Sequence, residues 1–193
     1  MTTTMKRDRL VEAAKTLFYQ RGVTRTTLAD IAEQAEEPLG NVYYHFRTKD
    51  ALVEAVIQAH VQELQSLFAQ WEHLSDSRQR LLALVGSARD ERHMLARYGC
   101  PHGSLCQELD KEDSQLALVA ARIFQVYLDW AERQFLLLGK AEQEARDLAI
   151  DLISSLQGTH ILSASFRSPE LLERKLQRLE TWVLSLQADQ IDG

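Results

Sequence analysis

The stretch LGNVYYHFRTK, residues 39–49, has the length and polarity of a short helix but an odd surface. At about 100° per residue, Leu39, Val42 and Phe46 fall on one face. Gly40, Asn41, Tyr44 and His45 take the opposite arc, with Tyr43 at its edge. A glycine inside a helix costs about 1 kcal/mol relative to alanine. Either this segment is not a helix, or something outside it must approach its backbone closely.

The flanking sequence supports a helix. Upstream, KRDRLVEAAKTLFYQRG (6–22) repeats apolar residues at Leu10, Ala14 and Leu17 and again at Val11, Ala14 and Phe18. It ends at Gly22, where a helix C-cap belongs. TTLADIAEQA (26–35) follows, with Thr26 or Thr27 placed to cap a second helix of about two turns. Glu36-Glu37-Pro38 breaks the pattern before residue 39. Downstream, Thr48 caps a long helix carrying Ile57, Val61, Leu64, Phe68 and Trp71 at helical spacing.

Further on, helices are predicted over about 76–97, about 104–109, 113–138, 141–166 and 169–188. Ser104 and Gln107 form a capping-box pattern. Leu116, Val119, Ile123, Val126 and Trp130 make a stripe that Gly139 ends. Ser168 and Pro169 supply a cap and a first helical position for the last helix. Nothing alternates with period two for long. The expected fold is all-α with about nine helices: a three-helix head over 1–50, and a larger helical domain over 51–193.

Composition agrees with this. Three prolines and eight glycines in 193 residues favour long helices, and 45% hydrophobic content suffices for a core. No apolar run reaches the roughly 18 residues of a membrane span, and MTTTMKRDRL lacks the apolar core of a secretion signal. Two cysteines do not make a disulfide framework. A cytoplasmic protein without membrane contact is expected. The net charge is −6, yet residues 1–50 hold eight Lys/Arg against seven Asp/Glu. An acidic body with a mildly basic head is compatible with DNA binding through the head alone.

Two short helices joined by a tight turn, braced on each side, describe a helix-turn-helix whose second member is 39–46. Such a reading helix is apolar inward and carries donors, small residues and aromatics outward. Gly40 lets backbone come close to phosphate or base edges. Asn41 suits a base edge, and Tyr43, Tyr44, His45 and Lys49 suit phosphate oxygens. Helix starts at Thr27 and Thr48 add N–H groups toward the anionic backbone.

Residues 6–52 resemble the DNA-binding domain of the TetR family of bacterial transcriptional regulators. The resemblance rests on F-x-x-x-G at Phe18–Gly22, T-x-x-x-I-A at Thr27–Ala32, GNVYYHF at 40–46, and K-x-x-L at Lys49–Leu52. GCPHGSLCQEL (99–109) and the C-terminal helices are similar to one branch of that family. The resemblance implies a nine-helix homodimer paired through its last two helices and a small-molecule effector site in the larger domain. It also implies an operator of double-stranded DNA with inverted repeats. One departure stands out: Glu36-Glu37 occupy the turn where the family often has Gly-Val. Glycine there would relax a positive-φ constraint, and valine would be buried. Glutamates so near DNA also repel phosphate.

The expected function is a ligand-responsive repressor released from its operator by a small apolar or aromatic effector. Phe124, Tyr127 and His160 are the candidate effector contacts. Leu172, Leu176, Leu179, Val183 and Leu186 form a stripe suited to the dimer bundle, with Gly158 and Ser155 allowing a helix to close in. A thiol route through Cys100 or Cys106 is the alternative trigger, and a helical protein-interaction adaptor is the alternative class. Cys-x5-Cys with one nearby histidine is not a zinc spacing, so no metal is expected. No catalytic or nucleotide-binding motif occurs, and neither enzyme activity nor a cofactor is expected.

Overall fold

The computed structural model describes residues 3–111 and 115–186, and among them every regular element is a helix. In chain order these are α1 (Thr3–Arg21), α2 (Leu28–Gln34), α3 (Leu39–His45), α4 (Lys49–Trp71) and α5 (Ser77–Asp90). They continue as α6 (Arg92–Tyr98), α7 (Pro101–Lys111), α8 (Leu116–Leu137), α9 (Glu142–Phe166) and α10 (Pro169–Ser185). The all-α fold expected from the spacing is what forms. Residues 112–114, where the helix predicted to start at 113 begins, lie outside the described residues, as do 187 and 188.

Punctuation explains most boundaries. Gly22 and Gly139 take φ of 87° and 89° at the ends of α1 and α8. Asp76 and Ser168 accept N–H bonds from Gln79 and Leu171 at the starts of α5 and α10. Two elements differ from expectation. The helix predicted over 76–97 is divided at Glu91, which leaves helical dihedrals at φ −94°, ψ 7°. The short helix predicted from Ser104 starts instead at Pro101, so the segment between the two cysteines is helical rather than a loop. Gly99, at φ 80°, closes α6, and Pro101 is preset for a first helical turn.

The chain divides into two units. The first comprises Met1–Glu63 with Pro101–Ile123, the second Leu64–Cys100 with Phe124–Gly193. This is not the division at residue 50 expected from the sequence, because α7 packs on α1 and joins the head. Leu10, Leu17, Ile31, Val42 and Leu52 form the buried centre of the first unit.

In the second unit α10 lies against α5, α6 and α9. Leu172, Leu176 and Val183 are fully covered there, Leu179 nearly so, and Leu186 is half-buried. The leucine stripe expected at a dimer interface is therefore core within its own protomer. Periodicity identifies an apolar face but not what covers it. Arg89 spans α5 to α10, with Glu173 at 3.0 Å and Glu180 at 2.9 Å. Among the described residues, no helix is long and apolar enough to cross a membrane.

Candidate nucleic-acid interface and ligand site

The candidate interface is built from the corner between α2 and α3. Thr27 caps α2 in a closed capping box: its Oγ1 accepts from the Asp30 N–H, and its own N–H donates to the Asp30 carboxylate at 2.7 Å. The Thr27 hydroxyl also donates to that carboxylate at 2.6 Å. These bonds, the side-chain one first, hold the Asp30 carboxyl below its usual range. Thr27 is thus occupied in shaping the helix start, and the carboxylate beside it adds negative charge there.

The turn itself is a Schellman motif. The Glu37 N–H donates to the Ala32 carbonyl at 2.9 Å and the Glu36 N–H to the Glu33 carbonyl at 3.0 Å. Glu36 fills the left-handed position at φ 54°. Pro38 then opens α3.

Along α3, Val42 and Phe46 are buried. Leu39, expected beside them, is 40% exposed, because it lies in the first turn at the edge of the apolar face. Tyr43 and Tyr44 are 54% and 75% exposed, and the Tyr44 ring meets His45 edge-on at 5.0 Å. A Cβ added to Gly40 would have no atom within 4 Å. The glycine therefore answers no packing need inside the protein. Lys49 opens α4, where Thr48 Oγ1 accepts from the Ala51 N–H at 3.1 Å. The predicted residues from 40 to 49 do come together on this corner.

Asn41 is the exception to a purely outward reading. It is half-buried, and its Nδ2 donates to Glu37 Oε2 at 2.6 Å. The Glu37 carboxylate is itself buried and receives Arg9 on its other oxygen, with Lys6 Nζ 3.8 Å away. Sequence reasoning saw Glu37 only as a repulsive charge; its i,i+4 spacing to Asn41 was the available signal. It also passed over Arg25 and Arg47, exposed cations in the α1–α2 turn and just after α3. Any lysine or arginine flanking a reading helix is a phosphate candidate.

α7 braces the α1–α2 turn that leads into this corner. Glu108 Oε2 and Oε1 accept the backbone N–H groups of Val23 at 2.8 Å and Thr24 at 2.7 Å. Burial alone would raise the Glu108 carboxyl, but these N–H bonds hold it below its usual range.

In the second unit Phe68 stacks on Trp130 at 4.4 Å and meets Tyr127 edge-on at 5.6 Å. Phe124 lies 6.2 Å from Tyr127, so these two predicted contacts are brought together. Burial pushes the Tyr127 hydroxyl well above its usual range. A groove of about 390 Å³ opens beside this cluster, bounded by Gln65, Phe68, Glu72, Asp129, Trp130 and Arg133. Phe124, Tyr127 and His160 do not line it. His160, on α9, is buried with both ring nitrogens unpartnered, and burial lowers its pKa to about 4. The described contacts do not join it to Phe124 and Tyr127. Cys100 is buried; Cys106 donates its S–H to the Ala120 carbonyl at 3.4 Å.

A tri-helical head with a capped α2, a Schellman turn and an outward α3 is the architecture of a helix-turn-helix DNA-binding protein. Residues 10–56 match the family described as bacterial regulatory proteins of the tetR family. Residues 76–177 match the C-terminal domain described as transcriptional regulator LmrA/YxaF-like. The chain belongs to the TetR family of transcriptional regulators.

Over 53 residues it is 51% identical to the HTH-type transcriptional regulator TtgR of Pseudomonas putida, a match spanning 28% of this chain and a quarter (25%) of that one. Over 182 residues it is 29% identical to the HTH-type transcriptional repressor DhaR of Mycobacterium sp. strain GP1, covering 91% of each. The fold superposes on a TetR regulator from Legionella pneumophila with a TM-score of 0.78 at 18% identity, covering 90% of this chain and 95% of that one.

Proposed function

We propose that the protein is a homodimeric, ligand-responsive repressor that reads an inverted-repeat operator through α3 and acts by binding rather than by catalysis. The observation that carries this is Gly40. It weakens a seven-residue helix, yet no neighbouring atom in the chain needs the space it leaves. A surface glycine flanked by exposed Tyr43 and Tyr44 fits a helix against which DNA must come close.

The trigger is a small apolar or aromatic effector in the second unit. The groove beside Phe68 and Trp130 has the volume of a small-molecule site, about 300–1,000 Å³. Phe124 and Tyr127 extend the aromatic surface next to it. His160, neutral at physiological pH, keeps one donor and one acceptor unspent inside the fold. The effector favours a conformer in which the two reading helices of a dimer no longer match successive major grooves.

Gly40→Ala tests the DNA reading. Selection from a random duplex pool first yields an operator for the parent. The variant is expected to be more stable by about 1 kcal/mol, because alanine is the better helix former and nothing obstructs its methyl. It is also expected to bind that operator at least several-fold more weakly. A more stable variant with unchanged operator affinity would remove Gly40 from the interface.

A further inference from the structure

Glu37 sits in the turn with its carboxylate almost wholly covered, at 3% side-chain exposure. Three groups converge on it from two elements. Arg9 and Lys6 come from α1, Lys6 lying 3.8 Å from Oε2. Asn41 Nδ2 comes from α3, 2.6 Å from that same Oε2. Between two cations the carboxylate stays an anion, and an anion only accepts hydrogen bonds. The Asn41 amide therefore has its orientation decided: nitrogen toward Glu37, Oδ1 turned away from it. A free asparagine can present either end to a base, or both at once to adenine.

We infer that Glu37 is a specificity-determining residue that holds Asn41 as a hydrogen-bond acceptor, so that α3 prefers a base offering a major-groove amino group at this position. The inference rests on the reading of α3 as the DNA-contacting helix. Adenine N6 and cytosine N4 are the donors that satisfy Oδ1; guanine O6 and thymine O4 oppose it. One N–H of Asn41 is already committed to Glu37, and Glu37 is in turn held by Arg9 and Lys6. The preference is thus written partly by residues that need not touch DNA.

The test is operator selection from a random duplex pool with four proteins: the parent, Asn41→Ala, Glu37→Gln and Glu37→Val. Asn41→Ala is expected to flatten one base position in each half-site, which identifies the position it reads. At that position the parent should favour adenine or cytosine by about tenfold. Glu37→Gln keeps the shape but can donate as well as accept, releasing the amide to turn over. It should reduce that preference to about two-fold or less while leaving the other positions sharp. Glu37→Val, apolar for a buried site, should do the same and guards against an effect peculiar to glutamine. Loss of sharpness at all positions would mark a merely structural role and overturn the assignment. So would variants that keep the parent's preference, or a parent that favours guanine or thymine there. A parent that selects no duplex would fail earlier, sinking the DNA reading of α3 and this assignment with it.

Discussion

Glu36 holds a backbone position that a side chain disfavours. In the left-handed region a Cβ crowds the following carbonyl oxygen, at a cost of about 1–2 kcal/mol that glycine avoids. Its side chain is exposed, so nothing visible at this residue offsets that cost. Glu36→Gly is expected to stabilise the protein by up to about 1 kcal/mol, the gain being reduced by glycine's greater freedom when unfolded. Urea unfolding would measure it, and a destabilised variant would mean that the turn does not need this geometry. Lys49 is the counterpart on the basic side. It opens α4 next to the Thr48 cap, and its charge is felt at both Asp30 and Glu108. Lys49→Ala should weaken every duplex alike and reduce the slope of log affinity against log salt by about one. Selective loss at one base position would instead make Lys49 a base reader.

At the scale of elements, α7 is tied to the α1–α2 corner by one carboxylate. Glu108 accepts two backbone N–H groups there, and a Cβ on Gly22 would lie 2.9 Å from its Oε2. Gly22 also needs its φ of 87°. Glu108→Ala should cost on the order of 1 kcal/mol, because both N–H groups lose a charged acceptor but the exposed Thr24 N–H can turn to water, and should speed amide exchange at Val23 and Thr24. Because its folded pKa is lowered, this contribution is complete above the unfolded carboxylate range and is lost as pH falls below it. Unchanged exchange at those two amides would mean that the contact does not form. This link also marks where the sequence stops being readable. The caps at Thr27, Thr48 and Ser168 are local, three residues from the N–H they receive, and could be read directly. Glu108 acts on a backbone 84 and 85 residues away, which no spacing reveals. α7 itself was obscured because Cys-Pro-His-Gly reads as a loop unless Gly99 is known to end the previous helix. Asn41 is readable from its place on the helix as a candidate contact, but its partner is not, because Glu37 has to fold inward before the pair exists.

For the whole molecule, acid sensitivity and assembly follow from what is covered and what is left open. Burial, assisted by Lys15 and opposed by Glu12, lowers the His60 pKa to about 4; burial alone does the same for His160. Unfolded, each titrates near 6.5. Between those values the unfolded chain binds protons that the folded chain refuses, so stability falls as pH drops from about 6.5 to about 4. The full loss is on the order of 3 kcal/mol per histidine, and replacing both with glutamine should flatten the urea midpoint between pH 7.5 and 5. A midpoint as steep as the parent's would acquit them. Assembly is argued from α9, which has two faces. Ala145, Ala149, Leu152, Leu156 and Ser163 point inward, while Ile150, Gly158, Ile161 and Phe166 lie on the outer arc. Ile161 is 53% and Phe166 70% exposed, and Gly158 has open space where a Cβ would stand. With the leucine stripe of α10 consumed as core, this outer arc and Leu184 offer exposed apolar surface to a second copy. Two substitutions separate the faces. Leu176→Ala, on the inner side, should cost about 2–5 kcal/mol of stability and leave the folded protein a dimer. Ile161→Glu should leave stability of the folded unit nearly unchanged but yield a monomer in micromolar sedimentation, with footprinting reduced to one weakly held half-site. A dimeric Ile161→Glu, or a monomeric folded Leu176→Ala, would return the interface to the face of α10 that the stripe first suggested.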